Sequence, residues 1–241
     1  MATSLLYGFH AVTARLRSAP TSIEELYLDI NRVDARMRDI ERQALAANVR
    51  VVKVAVDRIE GLAAGARHQG VVARAQPVRL KWGSYEDCLD AAGSTPFVVA
   101  LDGVTDPHNL GAILRTADGA GVDVVIAPKD RAVGLSATVM KVASGAADTV
   151  PYFMVPNLAR ALADLKDRGI WVVGLTDDAP DAVWDAKWPE PIAIVMGAEG
   201  EGLRRLTRER CDALVRIPMA GAIESLNVSV AAGVTLYEVR R

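Results

Sequence analysis

The second half of the chain alternates between short, uninterrupted apolar runs and longer stretches whose apolar residues recur at helical spacing. A run such as residues 170–175 has no charged position, which is typical of a strand buried on both faces of a sheet. The predicted strands cover residues 97–101, 122–127, 150–153, 170–176, 192–197 and 213–217. The predicted helices cover residues 110–119, 135–146, 158–168 and 203–210, and a last helix follows Ser225. This alternation predicts an α/β domain with a parallel, helix-covered sheet.

The first 75 residues predict a smaller α/β unit of their own. A helical pattern runs through Leu16, strands are predicted at 25–28, 49–56 and 68–74, and an amphipathic helix is predicted at 33–47. The stretch at 77–95 has turn residues near both ends, and between them one short helix is possible at 85–91. We therefore predict an N-terminal domain at 1–76, a linker at 77–95 and a larger domain at 96–241.

Length and composition agree with two globular domains. The chain has 241 residues, 51% of them hydrophobic and 24% charged. The net charge of −2 gives no overall sign of nucleic-acid binding, but residues 1–75 carry eleven Lys or Arg against eight Asp or Glu. Ten of these eleven bases are arginine, which suits phosphate and base contacts. The excess indicates RNA contact by the N-terminal domain, although a solvated helix face explains part of it equally well.

Several classes of protein find no support in the sequence. No apolar run approaches the roughly 20 residues of a membrane span, and the N-terminus has no leader pattern, so we expect a cytoplasmic protein without a membrane partner. Cys88 and Cys211 lack metal-site spacing, so we expect reduced, structural thiols and no metal. The three histidines are too scattered for a hydrolase triad. A nucleotide-binding oxidoreductase would need a glycine fingerprint that is absent.

The loop after the first strand of the larger domain carries the first candidate side chains. Asn109 can cap the following helix, and Arg115 lies within an otherwise apolar helical stretch. Six residues at about 100° each separate the two, so they do not share one helical face.

The loop after the strand at 192–197 is rich in glycine, which lets backbone groups approach a flat ligand closely. Glu199 is flanked by Gly197 and Gly200 and is the better candidate for a functional carboxylate than Glu201.

The loop after the last strand leads from Pro218 to Ser225, the predicted N-cap of the final helix, and to Asn227. Open α/β sheets bind ligands where strands end and helices begin. The three loops therefore predict one shared site.

Taken in this order, the three segments resemble the motifs of the SpoU (TrmH-type) branch of the SPOUT RNA methyltransferases. Asn109 and Arg115 resemble the first motif, residues 196–200 the second, and residues 217–219 with 225–229 the third. Residues 7–12, 68–70 and 101–109 extend the resemblance over essentially the whole chain, towards the members of the family that act on a guanosine of 23S rRNA.

The resemblance implies a function and a fold that periodicity alone does not give. The implied activity is S-adenosylmethionine-dependent 2′-O-methylation of a guanosine ribose in the peptidyl-transferase-region loop of 23S rRNA, without a metal. The implied fold is a SPOUT domain with a deep trefoil knot, preceded by an RNA-binding, L30e-like N-terminal domain, and a homodimer formed through the C-terminal domains. Two alternatives remain: a related 2′-O-methyltransferase for another rRNA or tRNA nucleotide, and a non-catalytic RNA-binding assembly factor on the same fold.

The resemblance also implies roles for individual residues. The methyl donor is expected to lie among Thr176, Gly197, Gly200, Ile217, Met219, Ser225 and Leu226. The expected catalytic positions are Arg115, Asn109, Glu199, Ser225 and Asn227. A guanidinium with a pKa above ~12 is a poor base, so we expect Arg115 to position the phosphate and stabilise the developing 2′-alkoxide. Asn109, Ser225 and Asn227 are expected to fix the ribose and the methionine end, and Glu199 to orient Arg115 or a substrate group.

Overall fold

The structure is a computed structural model that describes residues 4–66, 68–76, 83–198, 200 and 202–241. The chain forms two compact units, Met1–Lys81 and Trp82–Arg241. The strands are β1 (Ser4–Tyr7), β2 (Ile23–Asp29), β3 (Val51–Val54), β4 (Val71–Ala75), β5 (Phe97–Asp102), β6 (Val124–Pro128), β7 (Tyr152–Val155), β8 (Trp171–Leu175), β9 (Asp181–Ala182), β10 (Ile192–Gly197) and β11 (Ala213–Arg216). The helices are α1 (Gly8–Ser18), α2 (Ala35–Ala46), α3 (Val56–Ala63), α4 (Tyr85–Ala92), α5 (Pro107–Ala120), α6 (Ala137–Ala143), α7 (Leu158–Asp167), α8 (Arg205–Arg208) and α9 (Val228–Val239).

The first unit is a four-stranded mixed sheet in the order β1-β4-β2-β3. Alternation along β2 sends Leu26 and Leu28 into a core shared with α1 and α2, while Tyr27 points to the other face and packs with Ile59 of α3. The sequence pattern predicted neither β1 nor α3. With four and eight residues, they are too short for a period to be recognised.

The second unit is a seven-stranded sheet in the order β7-β6-β5-β10-β8-β11-β9, and all its strand pairs are parallel. The predicted α/β fold class with a parallel sheet is confirmed, and each predicted strand of this unit is present within two residues at either end. The two-residue edge strand β9 was not predicted. The trefoil knot stays a prediction.

Helices cover both faces of the larger sheet because its central strands are apolar on both sides. Val99 and Leu101 of β5 pack against α5, α6 and α9, whereas Val98 and Ala100 pack against α4 and α7. Helix α4 falls inside the segment predicted as a linker, yet its Tyr85 is buried in the core of the second unit. That part of the segment belongs to the folded unit.

Both cysteines are free thiols, in agreement with the sequence analysis. Burial raises the pKa of the Cys211 thiol to about 12, so it stays protonated at neutral pH. Within the described part of the chain, no helix is long and apolar enough to cross a membrane.

Candidate functional site

Two adjoining clefts open at the carboxyl ends of the strands of the larger sheet. The first cleft has about 310 Å³ of free space and lies between residues 175–178 after β8, the loop after β10 and residues 217–226 after β11. The second cleft has about 470 Å³ and lies between residues 102–106 after β5, Asn109, Arg131 after β6, and Arg204. Ala198, Gly202 and Val228 line both clefts, so the two spaces share one wall. Open parallel sheets bind ligands at this edge.

The first cleft gathers every residue that the resemblance assigned to the methyl donor. All seven line it: Thr176, Gly197, Gly200, Ile217, Met219, Ser225 and Leu226. Leu175, Met196 and Val228 add apolar wall. Its volume falls at the lower end of the roughly 300–1,000 Å³ range of small-molecule sites.

Acidic side chains make part of the first cleft negative, and the sequence analysis gave them no role. Asp177, Asp178 and Glu224 line the cleft together with Arg208. Hydrogen bonds from the Thr176 hydroxyl, 2.6 Å from Asp178 Oδ1, and from the Arg208 guanidinium hold the pKa of Asp178 below its ordinary value of 3.8. Asp178 is therefore ionised at neutral pH. No signal in the sequence marked it, because its role depends on Arg208, thirty residues away.

A buried ion pair fixes the glycine-rich loop that separates the two clefts. Within this loop the Gly202 amide donates to the Ala198 carbonyl at 3.0 Å. The side chain of Asp102, the last residue of β5, is fully buried and accepts hydrogen bonds from the Arg204 amide at 3.0 Å and from Arg204 Nε at 2.5 Å. A buried carboxylate needs such a partner, so the pair ties the loop to β5.

Asn109 and Asn227 meet at the site, and the caps of the two helices that carry them differ from the caps considered in the sequence analysis. Asn109 was considered as the N-cap of α5, but Asp106 caps that helix and Asn109 lies buried in its first turn. Ser225 was predicted to cap the last helix, but Asn227 does so and accepts from the Ser229 amide. Asn227 Nδ2 donates to Asn109 Oδ1 at 2.9 Å. This bond joins the loop after β11 to the start of α5.

The other predicted catalytic residues are placed differently. Ser225 lines the first cleft. Arg115 is exposed on α5, on a different face from buried Asn109 as the helical spacing predicted, and it is absent from the described lining of both clefts. Glu199 lies outside the described residues.

The first cleft offers the chemistry that S-adenosylmethionine requires. Apolar walls and backbone groups near Gly197 suit a flat base, and the acidic side chains of Asp177 and Glu224 suit a cationic ligand. Among the described residues we find no group of three or more His, Cys, Asp or Glu that could hold a metal ion.

Solved structures with this fold are RNA methyltransferases. A crystal structure of an RNA 2′-O ribose methyltransferase superposes with a TM-score of 0.77 at 25% identity, over 99% of this chain and 88% of that one. The SpoU methyltransferase AviRb from Streptomyces viridochromogenes, in complex with AdoMet, superposes with a TM-score of 0.72 at 24% identity, over 98% and 89%.

Fold and clefts together define an α/β RNA methyltransferase. More narrowly, the chain belongs to the SpoU rRNA Methylase family, whose model matches residues 96–237. A second family model, RNA 2′-O ribose methyltransferase substrate binding, matches residues 5–80.

Curated relatives match the chain over nearly its whole length. The 23S rRNA (guanosine-2′-O-)-methyltransferase RlmB of Ralstonia nicotianae is 57% identical over 239 residues, which cover 99% of this chain and 96% of that protein. The protein of the same name from Bordetella pertussis is 58% identical over 236 residues, which cover 98% and 96%.

Proposed function

We propose that this protein transfers a methyl group from S-adenosylmethionine to the 2′-hydroxyl of a guanosine in 23S rRNA. The observation that carries the proposal is the pair of adjoining clefts: the first is lined by the seven positions predicted to bind the donor, and the second contains Asn109. Ligands in adjoining clefts lie close together, and holding two reactants close and oriented supplies much of the rate of a displacement. Relatives of this name at 57% and 58% identity support the same substrate.

The first cleft would hold the donor through its walls and its loops. Ile217 and Leu226 would pack on the adenine, and the backbone at Gly197 would approach it closely. When bound, S-adenosylmethionine supplies a methyl group on a sulfonium: the O–CH3 bond forms as the S–CH3 bond breaks, S-adenosylhomocysteine leaves, and the proton of the 2′-hydroxyl passes to solvent. Asp177 and Glu224, which also line the cleft, would favour the positive charge of the donor by their own negative charge, since Asp178 is paired with Arg208.

The polar groups at the second cleft would act on the ribose. Asn109 Oδ1 accepts from Asn227 Nδ2 at 2.9 Å, which fixes the orientation of both amide groups where the ribose would bind. Ser225 would contact the donor or the ribose from the first cleft. The roles of Arg115, as an electrostatic stabiliser of the 2′-alkoxide, and of Glu199, as its orienting partner, remain part of the proposal.

Mapping of 2′-O-methyl groups tests the proposal directly. We expect 23S rRNA from cells that lack this gene to lose one 2′-O-methylguanosine, in the peptidyl-transferase-region loop, and the purified protein to restore it on that rRNA. We place this reaction in the cytoplasm. A lost methyl at another rRNA or tRNA nucleotide would correct the substrate, and an unchanged map would favour a non-catalytic assembly factor.

We also propose that the N-terminal domain binds the RNA substrate. Residues 5–80 match a substrate-binding family model, and the charge excess of residues 1–75 suits a polyanion. Arg32 and Arg36 lie over the Phe9 ring at 4.8 and 5.4 Å, which holds two guanidinium groups close together on this unit. We expect ultraviolet cross-linking of the full chain to its rRNA to yield peptides from residues 5–80. Cross-links confined to residues 96–241 would contradict this role.

A homodimer formed through the larger domain is a further part of the proposal. Val230 and Tyr237 of α9 are 51% and 57% exposed. They are seven residues apart, or about two helical turns, and therefore lie on one face. Two large apolar side chains exposed in this way would be covered by the same helix of a second copy.

Charge placed on this face should separate the two copies. We expect Val230→Asp to weaken dimerisation at least about tenfold, because a carboxylate would be buried without a partner. Size-exclusion chromatography with light scattering over a dilution series measures the effect. Leu45→Asp is the matched control, since Leu45 is 60% exposed on α2 of the first unit. A wild-type protein that is monomeric at all concentrations would refute the dimer.

A further inference from the structure

The wall of the second cleft contains an arginine that the reaction described above does not use. Arg131 follows β6 and lines this cleft beside Asn109 and Arg204. Arg204 is paired with Asp102. Arg131, in contrast, has no hydrogen bond or ion pair from its side chain to any residue that the structure describes.

The backbone around Arg131 is fixed from both sides. The Lys129 amide donates to the Val155 carbonyl at 2.8 Å, and the Val133 amide donates to the Val104 carbonyl at 3.1 Å. Tyr152 Oη donates to the Val133 carbonyl at 2.7 Å, and burial raises the pKa of Tyr152, which keeps this donor protonated. The segment that carries Arg131 is therefore held in place before any substrate binds.

Arg131 itself adopts a left-handed backbone conformation with φ of 58°. Such a conformation is uncommon for a residue other than glycine and costs of order 1–3 kcal/mol, so the surrounding anchors must hold it. Its side chain is exposed and belongs to the same cleft as Asn109. The two carboxylates among the described lining residues of that cleft have other partners, because Asp102 accepts from Arg204 and Asp106 caps α5 through the His108 amide.

We propose that Arg131 binds a phosphodiester group next to the target ribose, which makes the second cleft the site of a whole nucleotide. This inference rests on the proposed function, because an RNA carries phosphates on both sides of every ribose. A guanidinium without a carboxylate partner meets a phosphate in a bidentate pair. Such a contact fixes the ribose within the cleft while Asn109 contacts its hydroxyls. Arg131 is therefore a positioning residue for the acceptor and not a catalytic residue.

Steady-state kinetics of the full-length protein on 23S rRNA from cells that lack this gene test the assignment. We expect Arg131→Ala to raise KM for the RNA about tenfold. We also expect the negative slope of log(kcat/KM) against log[KCl] to become less steep by about 1, because one phosphate contact is lost. We expect kcat and the Kd for S-adenosylmethionine to change less than about threefold. Arg131→Gln keeps the length of the side chain and removes its charge, so it should behave like Arg131→Ala.

Arg160→Ala is the matched control. Arg160 is an exposed arginine of α7, which covers the face of the sheet opposite α5, and Arg160 is absent from the described lining of both clefts. Equal KM values and equal salt slopes for the Arg131 and Arg160 variants would overturn the assignment. If Arg131→Ala does not fold, Arg131→Gln provides the test: its negative slope of log(kcat/KM) against log[KCl] must become less steep than that of the wild type. Wild-type protein that fails to methylate the RNA would count against the proposed function, whereas an active wild type with unaffected Arg131 variants would count against this phosphate site alone.

Discussion

Gly197→Ala should weaken the binding of S-adenosylmethionine by roughly 5- to 150-fold. A Cβ at position 197 would lie within 3.0 Å of backbone atoms of Gly202 and Leu203, and 2.6 Å from Leu203 N. These atoms belong to the loop that Asp102 and Arg204 tie to β5, so the loop cannot move aside as a flexible side chain would. Overpacking of this kind costs about 1–3 kcal/mol, and each 1.4 kcal/mol is tenfold in affinity. Gly197, Gly202 and Leu203 all line the first cleft, so the clash would displace the backbone that forms its wall.

Isothermal titration calorimetry of the full-length protein measures this effect. Gly221→Ala is the matched control, because it lies in the loop after β11 and a Cβ there would meet no atom within 4 Å. We expect its Kd to stay within about twofold of the wild type. A Gly197→Ala protein that folds and binds the donor normally would show that the first cleft is not the donor site.

Arg115→Ala should lower kcat about 10²- to 10³-fold without changing the Kd for S-adenosylmethionine. Removing one preorganised group that stabilises a developing oxyanion typically has this effect. Arg115 is exposed on α5 and is absent from the described lining of both clefts, so this effect on kcat requires that the RNA-bound complex bring its guanidinium to the 2′-oxygen. The unchanged donor affinity follows because Arg115 is absent from the described lining of the first cleft.

Arg115→Lys distinguishes a bidentate role from simple charge. An ammonium keeps the positive charge but lacks the planar fork that binds two oxygens, so we expect kcat to fall at least about tenfold. Single-turnover methylation of 23S rRNA, with Arg160→Lys as the control, gives the rate of the chemical step. Turnover close to wild type in Arg115→Lys would contradict the bidentate role. The two arginine predictions differ in kind, since Arg131→Ala should act on KM and salt dependence and Arg115→Ala on kcat.

The secondary structure of the larger domain could be predicted because its signal is local. Each central strand is a continuous apolar run, as residues 192–196 are in β10, where all five are buried. The elements that escaped prediction are β1, α3 and β9, with four, eight and two residues. Their boundaries depend on pairing and packing partners rather than on their own periodicity.

The candidate site could be predicted only as a set of loops. The sequence placed polar and glycine residues after three strands, and the resemblance gave them roles that still await the experiments above. The sequence pattern offered Asn109 as the N-cap of α5 and Ser225 as the N-cap of α9, whereas in the structure Asp106 caps α5 and Asn227 caps α9. All four residues are Asn, Asp or Ser, which are suitable caps, so local preference cannot choose between candidates a few residues apart.

The sequence by itself determined the order and type of the main elements of the larger domain and the loops in which chemistry could occur. Only the tertiary structure decided that these loops form two clefts with a shared wall, that Asp102 pairs with Arg204, and that Arg131 lines the same cleft as Asn109. The physical reason is that the order of strands in a parallel sheet is set by crossovers and packing between distant segments. β10 lies between β5 and β8, and no local pattern of apolar residues specifies such a neighbour.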